Sequence, residues 1–142
     1  PAGGQDGRMI STDLAAALRD AGLAWHPASG DRFQLDEPEF DADVFTVSEM
    51  TIEPRRYPTG TILAFNGTTE WALDSVALDD ALWLPREDHL RELLRGAFRS
   101  LVRLADTYRV EIVFAGEAAA FEHPQPEDAY ALALLHVLRR IA

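Results

Sequence analysis

Between residues 108 and 114 the chain alternates without a break, with Tyr108, Val110, Ile112 and Phe114 set against Arg109, Glu111 and Val113. A period of two with one apolar side describes a strand that buries one face and shows the other to water. The flanks repeat the theme. Phe98, Ser100, Val102 and Leu104 alternate with Arg99, Leu101 and Arg103, and Ala105-Asp106-Thr107 then reverses the chain. A turn at Ala115-Gly116-Glu117 leads to a third strand-like run, Ala118 to Glu122. Turns this short join antiparallel neighbours, so the region predicts a meander with one face in need of a cover.

The chain's last segment reads as a helix. Pro126 suits a first helical turn, Glu127 and Asp128 suit the positive end of the helix dipole, and Tyr130, Ala133, Leu134, Val137, Leu138 and Ile141 make a wide apolar face over 126–141. Leu132 and Leu135 lie outside that face. Their cover comes either from the rest of the domain or from a second copy, and in the second case these two leucines are the interface of a homodimer.

Two further helices are legible. Ser11 or Thr12 can cap one over 12–21, where Leu14, Leu18 and Ala21 share a side and Gly22 ends it. Pro85 opens another over 86–95, with Leu90, Leu93, Leu94 and Ala97 opposite Asp88, Arg91, Glu92 and Arg95, and Gly96 as the stop.

Strands fill the interval between these helices. Trp25 sits in an extended segment closed by His26-Pro27. A turn at 28–31 leads to a strand near 32–35, and the run Asp36 to Asp43 reads as an acidic loop. Val44–Val47 and Met50–Glu53 are strand-like, with a turn region marked by Pro54, Pro58 and Gly60. The run before Asn66 is apolar on both faces, which places it inside a sheet. Asn66-Gly67 predicts a two-residue type I′ hairpin with a return strand at Thr69, Trp71 and Leu73, followed by an acidic connection, Asp74 to Asp80. The expectation is one α+β domain over 9–142, an antiparallel sheet packed on three helices in the order helix, strands, helix, three strands, helix. Residues 1–8, PAGGQDGR, are expected to lie outside the fold.

Composition narrows the function. A chain of 142 residues can bury a sufficient core unaided, and it has no cysteine for a disulfide, a thiol nucleophile or a thiolate zinc site. All 13 basic residues are arginine, so Schiff-base chemistry and a lysine-dependent phosphate loop are excluded. Net charge is −11, with five arginines and fifteen acids in residues 1–85 but eight and nine in 86–142. Nucleic acid and anionic membranes select basic surfaces, so neither is an expected partner; a protein partner with a basic segment fits better. The chain shows no apolar run of membrane-spanning length and no secretory apolar region, so the cytoplasm is the expected location.

No catalytic or cofactor motif stands out. His26, His89, His123 and His136 lack ligand spacing, the acidic run at 36–43 lacks the turn glycine and terminal glutamate of an EF-hand, and there is no G-x-S-x-G elbow. Glu70, Asp74, Asp79 and Asp80 are the nearest approach to paired carboxylates. Trp71 and Trp83 bracket that acidic stretch. Indoles joined to carboxylates suit recognition of a protein segment, so Trp71, Trp83, Glu70, Asp74, Asp79 and Asp80 form the candidate binding edge; the plainer reading places the tryptophans in the core.

The stretches FNGTTEWALDSV (65–76), ALWLPREDHLRELL (81–94) and AYALALLHVL (129–138) resemble a small family of bacterial proteins that carry a pilus-assembly label, with the likeness running from Met9 onward. ATPases of that label need a glycine-rich loop ending in lysine, which this chain lacks. The element order is similar to that of type III secretion chaperones and the YbjN-like proteins that share their fold. That resemblance implies a dimer that binds an extended segment of a partner and catalyses nothing. The expected function is therefore a non-catalytic acidic adaptor or chaperone-like module. The alternatives are a small enzyme or ligand-binding protein built on carboxylates and His89, and a structural subunit of an assembly.

Overall fold

The computed structural model describes residues 9–35, 43–47, 52–57, 60–65, 75–77 and 80–141. Among them three α-helices and nine strands follow in the order helix, six strands, helix, three strands, helix, the mixed α+β arrangement the pattern implies. The strands are antiparallel throughout but form three sheets of three. The chain divides into two compact units, Pro1–Ala24 with Pro85–Ala142, and Trp25–Leu84.

The first unit holds all three helices. In α1 (Thr12–Asp20), Ser11 is the N-cap, its Oγ accepting the Leu14 N–H at 3.2 Å. The helix ends as Gly22 takes φ 110 and the Leu23 N–H returns to the Leu18 carbonyl at 3.0 Å. In α2 (Glu87–Leu94) the Arg86 N–H donates to His89 Nδ1 at 3.3 Å, so the imidazole fills the place a Glu or Gln side chain takes in a capping box. The positive φ that closes this helix falls on Arg95 (φ 51), where Gly96 was the expected stop.

A short 3₁₀ turn, Arg95–Ala97, feeds the meander of β7 (Phe98–Arg103), β8 (Tyr108–Phe114) and β9 (Glu117–His123), in the order β7-β8-β9. The β8–β9 turn is Ala115 (φ 54) and Gly116 (φ 80), two consecutive positive φ values as a type I′ hairpin requires. The even alternation expected in β7 is broken. Phe98 faces Ile112, but a bulge intervenes, and then Ser100 faces Glu111 and Leu101 faces Val110. The extra residue moves Ser100 to the polar face and puts Leu101 beside Phe98.

Helix α3 (Pro126–Ile141) packs on β8 and β9 and also against α1 and α2. With neighbours on so many sides it buries residues all round, which is why its apolar positions outnumber one face. Of the two leucines whose cover was to come from the rest of the domain or from a second copy, Leu135 is only 5% exposed in the single chain and Leu132 is half-buried. Ile141, assigned from its periodicity to the buried face, sits in the last turn and is 64% exposed.

In the second unit β1 (Arg32–Leu35) lies between β2 (Phe45–Thr46) and β6 (Ala81–Leu84), with Phe33 opposite both Phe45 and Trp83. The second sheet is β3 (Ile52–Tyr57), β4 (Gly60–Phe65) and β5 (Ser75–Ala77), with β4 central as its two apolar faces imply. Pro54, expected in a turn, lies inside β3; an edge strand tolerates the missing N–H. On its other side β4 pairs Ala64 with Ser75, so β5 lies within what read as a connection, while the expected Asn66-Gly67 turn and its return strand at Thr69, Trp71 and Leu73 fall outside the described residues. Residues 66–74 themselves lie outside the described residues, as does the acidic run 36–42.

Candidate functional site

The meander has one face under α3; on the other, within the same unit, the described residues place no helix. Val110 and Ile112 are buried on the inner face, while Arg109, Glu111 and Val113 of β8 and Ala118, Ala120 and Glu122 of β9 share the outer one. Glu111 faces Ala120 and Val113 faces Ala118. Because each alanine contributes only a methyl group, the surface dips there, into a shallow groove of about 410 Å³ lined by Arg99, Glu111, Val113, Ala118 and Ala120 among others.

Charged groups rim this groove. Arg109 Nε donates to Glu122 Oε2 at 3.0 Å, and its Nη1 lies 3.6 Å from Glu111 Oε2. The hydrogen bond and charge of Glu122, with a smaller share from Glu111, push the Arg109 pKa up. Ser100 Oγ donates to Glu111 Oε1 at 2.7 Å, a contact that the bulge in β7 makes possible. At the β7 end, the Arg99 guanidinium folds back onto the Gly96 and Phe98 carbonyls. The floor is apolar and the rim carries both signs, an arrangement that can hold polypeptide.

A second polar cluster joins the N-termini of α1 and α3. Asp128, 3% exposed, accepts the Ser11 N–H on Oδ1 at 2.8 Å, and its Oδ2 lies 3.6 Å from His123 Nε2. The Gln125 N–H donates to His123 Nδ1 at 3.0 Å, which assigns the ring proton of the neutral imidazole to Nε2, the nitrogen facing the carboxylate. A Ser, a His and an Asp are thus close together, yet the serine oxygen caps α1 and the carboxylate is held by the serine backbone. This geometry fastens helices and does not pass a proton to a nucleophile.

The expected binding edge is only partly within view. Glu70, Trp71, Asp74 and Asp79 lie outside the described residues; Asp80 is exposed just before β6. Trp83 is half-buried and stacks on Trp25, ring centroids 6.3 Å apart and planes 8° from parallel. Trp25 also meets Phe33 at 5.5 Å, and Phe33 meets Phe45 at 5.6 Å. Asp31, 4% exposed, accepts the Trp25 Nε1–H at 2.9 Å and the Ala28 N–H at 3.0 Å. Trp25 and Trp83 therefore belong to one aromatic cluster over β1, β2 and β6. Sequence reasoning missed Asp31 as its polar anchor, although the Ala28–Asp31 turn that aims the carboxylate was legible.

His89 serves the α2 N-terminus. Its neighbour Asp88 does not have the raised pKa that acid–base work asks for: desolvation alone would raise it, but the hydrogen bond and charge of Arg86, helped by His89 and the local backbone, bring it down. His136 packs on Phe121 with ring centroids 5.3 Å apart, and His26 is exposed. Among the described residues no three His, Asp or Glu side chains gather to hold a metal ion, and no helix is long and apolar enough to cross a membrane.

Comparison with models of known protein families finds no match, and comparisons with curated protein sequences and with solved structures find none either.

Proposed function

We propose that this chain is a non-catalytic, acidic protein-binding module, adaptor-like or chaperone-like, that holds an extended segment of a partner across the outer face of β7–β9. The observation that carries the reading is the apolar floor of Val113, Ala118 and Ala120 within a charged rim, on a sheet whose other face is already buried. An extended segment laid there buries alternate side chains against the alanines and meets charge at the rim. The net charge of −11 biases the choice toward segments rich in Arg or Lys. Trp83 contributes by keeping its own unit folded, since its ring is stacked against Trp25.

The test is affinity selection from a random-peptide library on the intact protein, followed by fluorescence anisotropy with the recovered peptides. Ala120→Arg and Val113→Asp fill or charge the groove floor and are expected to weaken binding at least about tenfold while the circular dichroism melt persists. Peptides that bind both variants as well as the parent contradict the reading.

A further inference from the structure

The two edges of the meander are protected very differently. Strand β7 carries a bulge between Phe98 and Ser100 and two exposed arginines, Arg99 and Arg103, the devices by which sheet edges discourage pairing. Strand β9 has neither. Its seven residues keep continuous register with β8 from Tyr108↔His123 to Phe114↔Glu117, and among the described residues β8 is the only strand paired with it. It contains no proline, glycine, lysine or arginine, and three of its residues are alanine.

Its two glutamates do not guard it either. Arg109 neutralises Glu122 at 3.0 Å, and Arg140 neutralises Glu117 at 2.9 Å. A long, straight edge whose acids are already paired within the chain is a template for another strand.

We propose that β9 pairs with β9 of a second copy about a twofold axis at Ala120, making one continuous six-stranded sheet. The strand is self-complementary in that antiparallel register. Ala120 meets Ala120, Phe121 meets the small Ala119, Glu122 meets Ala118, and Glu117 meets His123, so no like charges stand opposite one another. The distribution of charge favours the same surface. Residues 86–142, which contain the meander, hold eight arginines and nine acids, whereas residues 1–85 hold five and fifteen, so association through β9 joins the less repulsive halves. Ile141, 64% exposed, lies beside Arg140 and hence at the Glu117 end of this edge, adding apolar area at its corner. Pairing in this way leaves the outer face open and sets the two grooves side by side across the axis. The inference rests on the edge alone and does not depend on what the groove binds.

The chain has no cysteine, so a single one introduced at the axis reports the pairing. Directly opposed residues of an antiparallel pair have Cβ atoms about 4.5–5.5 Å apart, near enough for a disulfide after small adjustment. The full chain is expected to run as a dimer in light scattering at micromolar concentration and to remain one in high salt. Under mild oxidation Ala120→Cys is expected to cross-link the dimer, while Ala105→Cys, in the exposed β7–β8 turn, does not. Ala120→Asp places two carboxylates on the axis and is expected to raise the dimer dissociation constant at least about tenfold with its helical and strand content unchanged. A protein that stays monomeric at every concentration overturns the proposal. So does a dimer that Ala120→Asp leaves intact and Ala120→Cys does not trap, and so does trapping of Ala120→Cys by a foreign peptide in place of a second copy.

Discussion

The Ser11 N–H donates to Asp128 Oδ1 at 2.8 Å across 117 residues of sequence, tying the start of α1 to the start of α3. Asp128 is 3% exposed, so the bond satisfies a carboxylate that is largely withdrawn from water. Asp128→Ala leaves that N–H without its acceptor and is expected to cost about 1–3 kcal/mol in urea unfolding. Asp128→Asn keeps an acceptor oxygen and is expected to cost less.

Leu135 distinguishes packing within the chain from packing between copies. At 5% exposure it lies in the interior of a single chain, and Leu135→Ala is expected to lose about 2–5 kcal/mol of stability. The loss should be the same at low and high protein concentration. A destabilisation that grows as the protein is diluted would return Leu135 to a subunit interface.

Tyr130 gives the alkaline limit of stability a cause. Burial, and then the charge of Glu87, raise its pKa, while the charge and hydrogen bond of Arg91 act the other way and are outweighed. The unfolded chain therefore loses the phenolic proton first as pH rises. The stabilisation is fully present below about pH 10 and is lost as pH climbs through the folded value. Thermal midpoints from pH 9 to 11 should fall more steeply for the parent than for Tyr130→Phe.

The β8–β9 turn stores strain that substitution can relieve. Ala115 holds φ 54, a left-handed conformation that an alanine side chain disfavours by about 1–2 kcal/mol. Ala115→Asn supplies the residue type that such turns prefer before glycine, and is expected to raise the unfolding free energy by about 0.5–1 kcal/mol. An unchanged or lower midpoint would show that the turn tolerates alanine without cost.

The parts legible in the sequence were those whose determinants are local. Helices α1, α2 and α3 announced themselves through Ser11, Pro85 and Pro126 at their starts and through apolar periodicity, and the meander through the alternation of Tyr108–Phe114 and the Ala115-Gly116 turn. What escaped depended on partners far along the chain. Ala81–Leu84 is too short to show a period and becomes a strand because Arg32–Leu35 pairs with it. Pro54 reads as a breaker until β3 is known to be an edge. One extra residue in β7 inverted the faces of Ser100 and Leu101, a change that alternation alone does not reveal. The groove was hidden for a similar reason, since Ala118 and Ala120 become a floor only when Val113 and Glu111 are set opposite them.

Hydrogen exchange of the intact protein, with and without a selected peptide, tests most directly whether the outer face of the meander is the docking surface. Slowed exchange concentrated in residues 98–123 on adding peptide, with residues 25–84 unchanged, is the expected result. Protection confined to residues 25–84 would contradict the assignment and move the binding surface to the unit that contains Trp83.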